Sequence, residues 1–294
     1  MIQSVAVIGA GAMGAPMARR IQAGGYKLTV CDKNEAVLTR FAQLGARVTS
    51  NAAECASSEV VIILVATGHQ LREVVLGPGG LQSGLADGSP PVIAVMSTVS
   101  IATILEIQDS VSQSGIRVID APISGGVVGA ENGTLTVMMG GETADIEFVR
   151  PVFMRLGGQL FHCGRAGSAQ LMKIINNIIC IANIFISGEA YRLALEHGLT
   201  LAQTARVLDV STGRNFVSAD RAGVSSLYAA ITPDRARFDS LMSILRKDAG
   251  LASGLASSTD GAYPTIQGFT SLLDSLGDET FENWRRLSEA RDVS

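Results

Sequence analysis

Over its first half the chain alternates short blocks of consecutive apolar residues with longer stretches in which apolar residues return every three or four positions. The blocks are Ser4 to Ile8, Leu28 to Cys31, Val60 to Val65, Val92 to Val95 and Arg117 to Ile119. Helical spacing occupies Met13 to Ala23, Glu35 to Leu44, His69 to Leu76 and Ile101 to Ser114. Unbroken apolar blocks read as strands buried on both faces, and their alternation with helices predicts an α/β fold built on a mostly parallel, doubly wound sheet. Thr134 to Met139, bracketed by Asn132-Gly133 and Gly140-Gly141, predicts one more strand added at the sheet's edge. After Gly164 the strand pattern stops. Ser168 to His197 predicts a single helix about 45 Å long, apolar on nearly every face of its middle and therefore covered all round. A T-x-x-Q capping box at Thr200 and Gln203, and start signals at Pro264-Thr265 and Asp278, predict further helices. The reading is a sheet domain over residues 1–165 and an all-α domain over residues 166–294, joined by the long helix.

The first turn of this pattern carries a phosphate-binding signature. Gly9, Gly11 and Gly14 stand at G-x-G-x-x-G spacing between a predicted strand and a predicted helix, which makes the first domain Rossmann-type. Gly9 allows the tight turn, Gly11 lets backbone approach phosphate, and Gly14 lets helix and strand pack closely. The free N–H groups around Ala12 and Met13 and the positive end of the helix dipole then face a dinucleotide pyrophosphate. Asp32 ends the second predicted strand, eighteen positions after Gly14, where a carboxylate accepts hydrogen bonds from a ribose diol and repels a 2′-phosphate. NAD is favoured over NADP, with Lys33 as the cation that would offset that repulsion if it turned inward.

Composition narrows the class further. The 294 residues are 47% hydrophobic and 17% charged with a net charge of -4, which fits a two-domain globular enzyme and gives no electrostatic footprint for nucleic acid. A strand begins almost at once, leaving no room for a secretory signal, and the apolar run from Ile174 to Ile186 is interrupted by asparagines and reads as a buried helix rather than a membrane span. The four cysteines lack C-x-x-C spacing and the three histidines form no ligand cluster, so the expectation is a cytoplasmic protein without a metal. So much apolar surface on one helix also predicts a homodimer or homotetramer.

Three constellations carry candidate chemistry. Lys173 and Asn177 lie one helical turn apart, with Asn176 at the border of the same face. Burial there would disfavour the ammonium and suit Lys173 to proton exchange; a lysine with its stem packed and its head in water satisfies the same spacing. Ser124-Gly125-Gly126 follows a strand and offers a hydroxyl and successive N–H groups to a carboxylate, unless its glycines serve only the loop's shape. Thr98 follows another strand and reaches the same crevice, while Ser100 caps the helix behind it. Lys247-Asp248 taken alone is a solvated ion pair. Thr212 to Phe216, with Arg214 and Asn215, and the arginines Arg221, Arg235 and Arg237 are candidates for the distal end of a substrate.

With these residues in view the chain resembles the β-hydroxyacid dehydrogenase family nearly end to end. Four blocks appear in that family's order: Gly9 to Ala18, Asp120 to Gly141, Gly167 to Asn177 and Lys247 to Ala252. The resemblance implies a hydride transfer between a nicotinamide cofactor and a small β-hydroxy acid or its semialdehyde, of the 3-hydroxyisobutyrate type. It implies Lys173 as general acid and base, Asn177 as the group that orients the substrate, and Ser124, Gly125 and Gly126 as the carboxylate loop. Thr98 and Lys247 correspond to contacts on the nicotinamide side, and Val65-Ala66 lines that pocket in place of a common Leu-Pro. Ile101 likewise replaces a common proline. The chain has the length of the family's short members, which disfavours a phosphorylated sugar acid. Imine reductases share the architecture but lack the lysine; they and a non-catalytic dinucleotide sensor are the alternative readings.

Overall fold

A computed structural model of the chain describes residues 2–85, 90–220 and 223–290. It divides into two compact units, Met1–Lys173 and Ile174–Ser294.

Among the described residues the first unit is built on nine strands: β1 (Ser4–Ile8), β2 (Lys27–Cys31), β3 (Arg47–Thr49), β4 (Val60–Ile63), β5 (Val92–Val95), β6 (Arg117–Asp120), β7 (Ile123–Ser124), β8 (Thr136–Gly140) and β9 (Gln159–Gly164). They lie in the order β3-β2-β1-β4-β5-β6-β8-β7, with β9 also paired to β8. The pairs from β3 through β6 are parallel; β8 runs antiparallel to β6 and β7 and parallel to β9. Chain order reverses between β1 and β4, the switch point at which open α/β sheets bind ligands beyond the carboxyl ends of the strands.

Alternation along the strands explains the continuous apolar blocks. Val5 and Val7 join one buried cluster with Val30, Ile62 and Ala94, while Ala6 and Ile8 join another with Cys31, Ile63 and Val95. One face therefore feeds each core, and β4 and β5 carry apolar residues at every position. Helices α1 (Gly14–Ala23), α2 (Glu35–Gln43), α3 (Gly68–Leu76), α4 (Ile101–Val111), α5 (Gly126–Asn132) and α6 (Thr143–Phe153) complete this unit. Side chains start three of them: Asn34, Thr67 and Ser100 accept the N–H of Ala36, Gln70 and Thr103.

The observed elements differ from the reading in places. The fourth strand ends at Ile63, which leaves Val65 and Ala66 in the loop beyond it. The strand near residue 136 is not an edge, because β8 is flanked by β6, β7 and β9. Within a single chain, α7 (Ser168–Glu196) keeps one apolar side uncovered, the side left for the expected second subunit. Met172, Ile175, Ile179, Ile186 and Leu193 form one stripe and are 43% to 62% exposed. Its 29 residues are long and apolar enough to cross a membrane by length and composition, with 44% of the most apolar window buried. The reason is periodicity: the helix has apolar residues on two sides, and the second unit's own core buries the side that carries Ile181, Ile184, Phe185 and Tyr191.

That second unit continues with α8 (Leu201–Asp209), α9 (Val224–Ile231), α10 (Arg235–Ser257), α11 (Pro264–Ser275) and α12 (Asp278–Glu289). Thr200 and Gln203 form a reciprocal capping box at the start of α8. The core is aromatic. Trp284, 1% exposed, has Phe185, Tyr228 and Phe238 at ring-centroid distances of 5.1, 5.6 and 5.6 Å.

Candidate active site

The β1–α1 loop is shaped by its glycines. Gly9 has φ +89, and a Cβ there would overlap the Leu64 carbonyl oxygen; a Cβ on Gly14 would overlap the carbonyl oxygen of Gly9. A Cβ on Gly11 would meet nothing within 4 Å. Gly11 and Ala12 are exposed, Met13 is half-buried, and no side chain caps α1. This is an open cradle lined by backbone at an uncapped helix N-terminus, which fits a dinucleotide pyrophosphate. Asp32, at the carboxyl end of β2, holds the cradle's rim: Oδ2 accepts the Ala10 N–H at 2.7 Å and Oδ1 accepts the Asn34 N–H at 2.9 Å. Each oxygen keeps a lone pair for a ribose hydroxyl. The neighbouring Lys33 is exposed, its Nζ 3.4 Å from the Ser50 carbonyl oxygen.

Loops after β4, β5 and β6 extend the same edge of the sheet. Val65 donates its N–H to Ser97 Oγ at 2.9 Å, and Ala66 donates to Gln70 Oε1 at 2.9 Å. Thr98 is half-buried between the buried Ser97 and Val99. Ser124 lies half-buried on β7 and is followed by the exposed Gly125 and Gly126, with φ of +126 and +63. Both φ values favour glycine, and neither residue has a Cβ to screen its backbone N–H from a small anion.

Beside these loops are two residues to which the sequence reading gave no role. Asp120, at the carboxyl end of β6, is 0% exposed and accepts the N–H groups of Gly167 and Gln170, each at 2.8 Å. It caps the start of α7. Burial raises its carboxyl pKa above the ordinary aspartate value, and the N–H bonds pull in the opposite direction. Gln170, also 0% exposed, donates from Nε2 to the Ser97 carbonyl oxygen at 2.9 Å and accepts the Val99 N–H on Oε1 at 3.1 Å. The first turns of α7 are thereby fixed to the loop that contains Thr98. Lys173, half-buried, comes three residues after Gln170 on that helix.

Farther along, Asn177 donates from Nδ2 to Asp248 Oδ2 at 2.7 Å and accepts from Asn176 Nδ2 at 3.1 Å. The other carboxylate oxygen of Asp248, itself buried, lies 2.8 Å from Lys247 Nζ. Within the second unit, Asn177, Asp248 and Lys247 thus form one chain of contacts, in which Asp248 fixes the turn of the Asn177 amide. Only the adjacency of Lys247 and Asp248 was visible beforehand; the approach of Asn177 was not.

The other candidates are engaged elsewhere. Arg214 pairs with Asp209 at 3.0 Å, and Asn215 Oδ1 accepts the Val217 N–H at 2.8 Å. Arg235 pairs with Asp239 and Asp278 at 2.8 and 2.6 Å. The backbone N–H of Arg237 is taken by Asp234 in the cap of α10. Arg221 lies outside the described residues. Among the described residues no three His, Cys, Asp or Glu side chains gather as metal ligands.

The family models match both halves of the chain. Residues 4–164 match the NAD binding domain of 6-phosphogluconate dehydrogenase, and residues 167–284 match the NAD-binding domain of NADP-dependent 3-hydroxyisobutyrate dehydrogenase. The mitochondrial 3-hydroxyisobutyrate dehydrogenase of Drosophila melanogaster is 30% identical over 96% of this chain and 86% of its own length. The 2-(hydroxymethyl)glutarate dehydrogenase of Eubacterium barkeri is 33% identical over 72% of this chain and 70% of its own. A solved structure of Mycobacterium tuberculosis 3-hydroxyisobutyrate dehydrogenase with L-serine superposes with a TM-score of 0.79 at 26% identity, covering 94% of each chain. The chain belongs to the β-hydroxyacid dehydrogenase family, whose members are NAD(P)-dependent oxidoreductases acting on the CH–OH group of hydroxy acids.

Proposed function

We propose that this enzyme oxidises the primary alcohol of a small acid of the form HOCH2–CH(R)–COO⁻ and reduces the corresponding semialdehyde, with Lys173 as general acid and base. The observation that carries the reading is the seating of α7. Asp120 and Gln170 hold its first turn against the Thr98 loop, at the sheet edge where the glycine cradle opens. The substrate form is the chemistry shared by 3-hydroxyisobutyrate, L-serine and 2-(hydroxymethyl)glutarate, the compounds named for the relatives.

Residue roles follow from the groups available. The N–H groups of Gly11, Ala12 and Met13 bind the pyrophosphate, and Asp32 accepts from the adenosine ribose, which favours NAD over NADP. By the family's correspondence, Val65, Ala66 and Thr98 of the first unit and Lys247 of the second would contact the nicotinamide side of the cofactor, which would supply the hydride acceptor for oxidation and the hydride donor for reduction. The family's correspondence gives Ser124, Gly125 and Gly126 the role of holding the carboxylate and gives Asn177, its amide fixed by Asp248 within the second unit, the role of orienting the alcohol. Lys173 takes the hydroxyl proton in oxidation and returns it to the alkoxide oxygen in reduction. A second copy of the chain covers the exposed stripe of α7 in a homodimer or homotetramer, which sedimentation velocity measures directly. The reducing cytosol is the compartment that suits four cysteines without C-x-x-C spacing.

The test is a spectrophotometric panel of those three acids and a set of cyclic imines with both oxidised and reduced NAD and NADP. The expected result is oxidation of at least one of the acids, with NAD preferred. Lys173→Ala is expected to lower kcat by about two to four powers of ten and leave NAD affinity within about threefold. Turnover of imines alone, or a Lys173→Ala enzyme with wild-type kcat, overturns the proposal. NAD binding without turnover of any compound supports the sensor reading instead.

A further inference from the structure

We infer that Gln170 is a positioning residue that sets the distance between Thr98 and Lys173, a role that rests on the assignment of Lys173 as the general acid and base. The primary amide spends both ends on backbone. Nε2 donates to the carbonyl oxygen of Ser97 at 2.9 Å, and Oε1 accepts the N–H of Val99 at 3.1 Å, so the two bonds bracket Thr98. Its own N–H is held by Asp120 at 2.8 Å, which registers the start of α7 against the end of β6. Ser97 in turn accepts the N–H of Val65 at 2.9 Å, so the clamp extends to the β4 loop. Lys173 follows three residues later, about 4.5 Å along the helix axis and about 60° around it.

An apolar side chain of the same size would fill this site, but apolar contact is non-directional and tolerates slip along the helix axis. Two bonds from one planar amide to two fixed backbone groups do not. Complete burial strengthens the constraint, since breaking either bond strands a backbone group out of reach of water. Misplacement by about 1 Å between groups on two sides of a reacting centre is enough to cost about a hundredfold in rate.

The experiment uses the full-length enzyme with whichever alcohol of the panel it turns over, unlabelled and deuterated at the carbinol carbon. Gln170→Met keeps the volume and removes both bonds. We expect kcat to fall by about tenfold to a hundredfold, with KM for alcohol and NAD within about threefold and a primary isotope effect on kcat at least as large as the wild type's. That combination places the loss in the hydride step. A role confined to stability would instead lower the melting temperature and leave kcat per folded site and the isotope effect unchanged. Gln170→Asn keeps a polar amide but is one methylene too short to hold both groups; it is read by the same numbers if Gln170→Met does not fold. A folded Gln170 variant with kcat and isotope effect within about twofold of wild type, alongside an inactive Lys173→Ala, overturns this inference alone. A Lys173→Ala enzyme at full rate overturns both readings.

Discussion

The two units of this chain solve close packing in different ways. In the sheet unit, backbone meets backbone: Gly9 packs on Leu64, Gly14 on Gly9 and Gly157 on Leu135, each at a carbonyl group that a Cβ would strike. Its core is mostly aliphatic, dominated by Val, Ile and Ala from strands buried on both faces. In the helical unit, Gly250, Gly254, Gly268 and Gly277 meet nothing within 4 Å of an added Cβ, and the core is filled by rings around Trp284. The difference follows from spacing. Strands lie about 4.8 Å apart and helices 8–10 Å apart, so a βα turn leaves room only for backbone, while a helix interface needs bulky side chains to close it. Sites inherit the same contrast. The cofactor cradle is made of main-chain groups that only glycine leaves open, whereas Asn177, Asp248 and Lys247 place side chains from two helices.

The largest effect is expected where that contrast is sharpest. Gly14→Ala forces a methyl group into the carbonyl oxygen of Gly9, and we expect a loss of about 3 kcal/mol in unfolding free energy together with loss of NAD binding. Gly11→Ala separates the two effects. Its methyl group meets no protein atom, so stability should stay within about 0.5 kcal/mol while NAD affinity falls by about tenfold or more. Urea unfolding and calorimetric titration with NAD read both quantities. Equal destabilisation by the two variants would show that Gly11 is a packing position and not part of the cradle.

The same contrast decides what could be read from the sequence. The glycine spacing, the Asp32 position and the capping box at Thr200 are local, so the residues that cause them are close together along the chain. The strand β3 spans only Arg47 to Thr49, too short for a periodicity, and β9 has no buried position to make an apolar block. Helix α10 reads poorly for another reason: Gly250 and Gly254 interrupt a pattern that only tertiary packing sustains. Asp120 and Gln170 fall inside legible motifs, yet their roles are not legible there, because their partners lie 47 to 73 positions away and become neighbours only through strand order. Which side of α7 stays exposed within one chain was not legible, because composition reports how apolar a helix is, not which side the fold covers.

Asp120 is a side-chain solution inside the backbone-made unit, and its effect should be smaller. Asp120→Asn keeps one acceptor for two N–H groups, so we expect a loss of about 1–3 kcal/mol. The pH dependence has a definite sign. Burial raises the folded-state pKa of Asp120, so the folded chain holds that proton to higher pH than the unfolded chain does. The contribution of this group is therefore greatest below the unfolded value of about 3.9 and declines as pH rises through the folded pKa. Urea unfolding of both proteins from acid to neutral pH should show the wild type's advantage shrinking. An advantage that grows over that range would mean that the two N–H bonds outweigh burial.

The smallest effects are expected from hydroxyl groups in the helical core, and they test whether that unit is held by ring packing or by polar contacts. Tyr228, 0% exposed, donates from its hydroxyl to the Ile184 carbonyl oxygen at 2.8 Å. Tyr191, 1% exposed, has a buried hydroxyl without a hydrogen-bond partner among the described residues, and burial pushes its pKa up to about 12. Removing the first hydroxyl leaves a carbonyl short of a donor; removing the second relieves a desolvated group. Tyr228→Phe should therefore cost about 1 kcal/mol, and Tyr191→Phe should be neutral or stabilise by up to about 1 kcal/mol. Both variants retain the ring, so thermal unfolding compares the hydroxyls alone. If Tyr191→Phe proves the more damaging of the two, its hydroxyl has a polar partner in solution, and the helical core relies on directed bonds as the sheet unit does at Asp120.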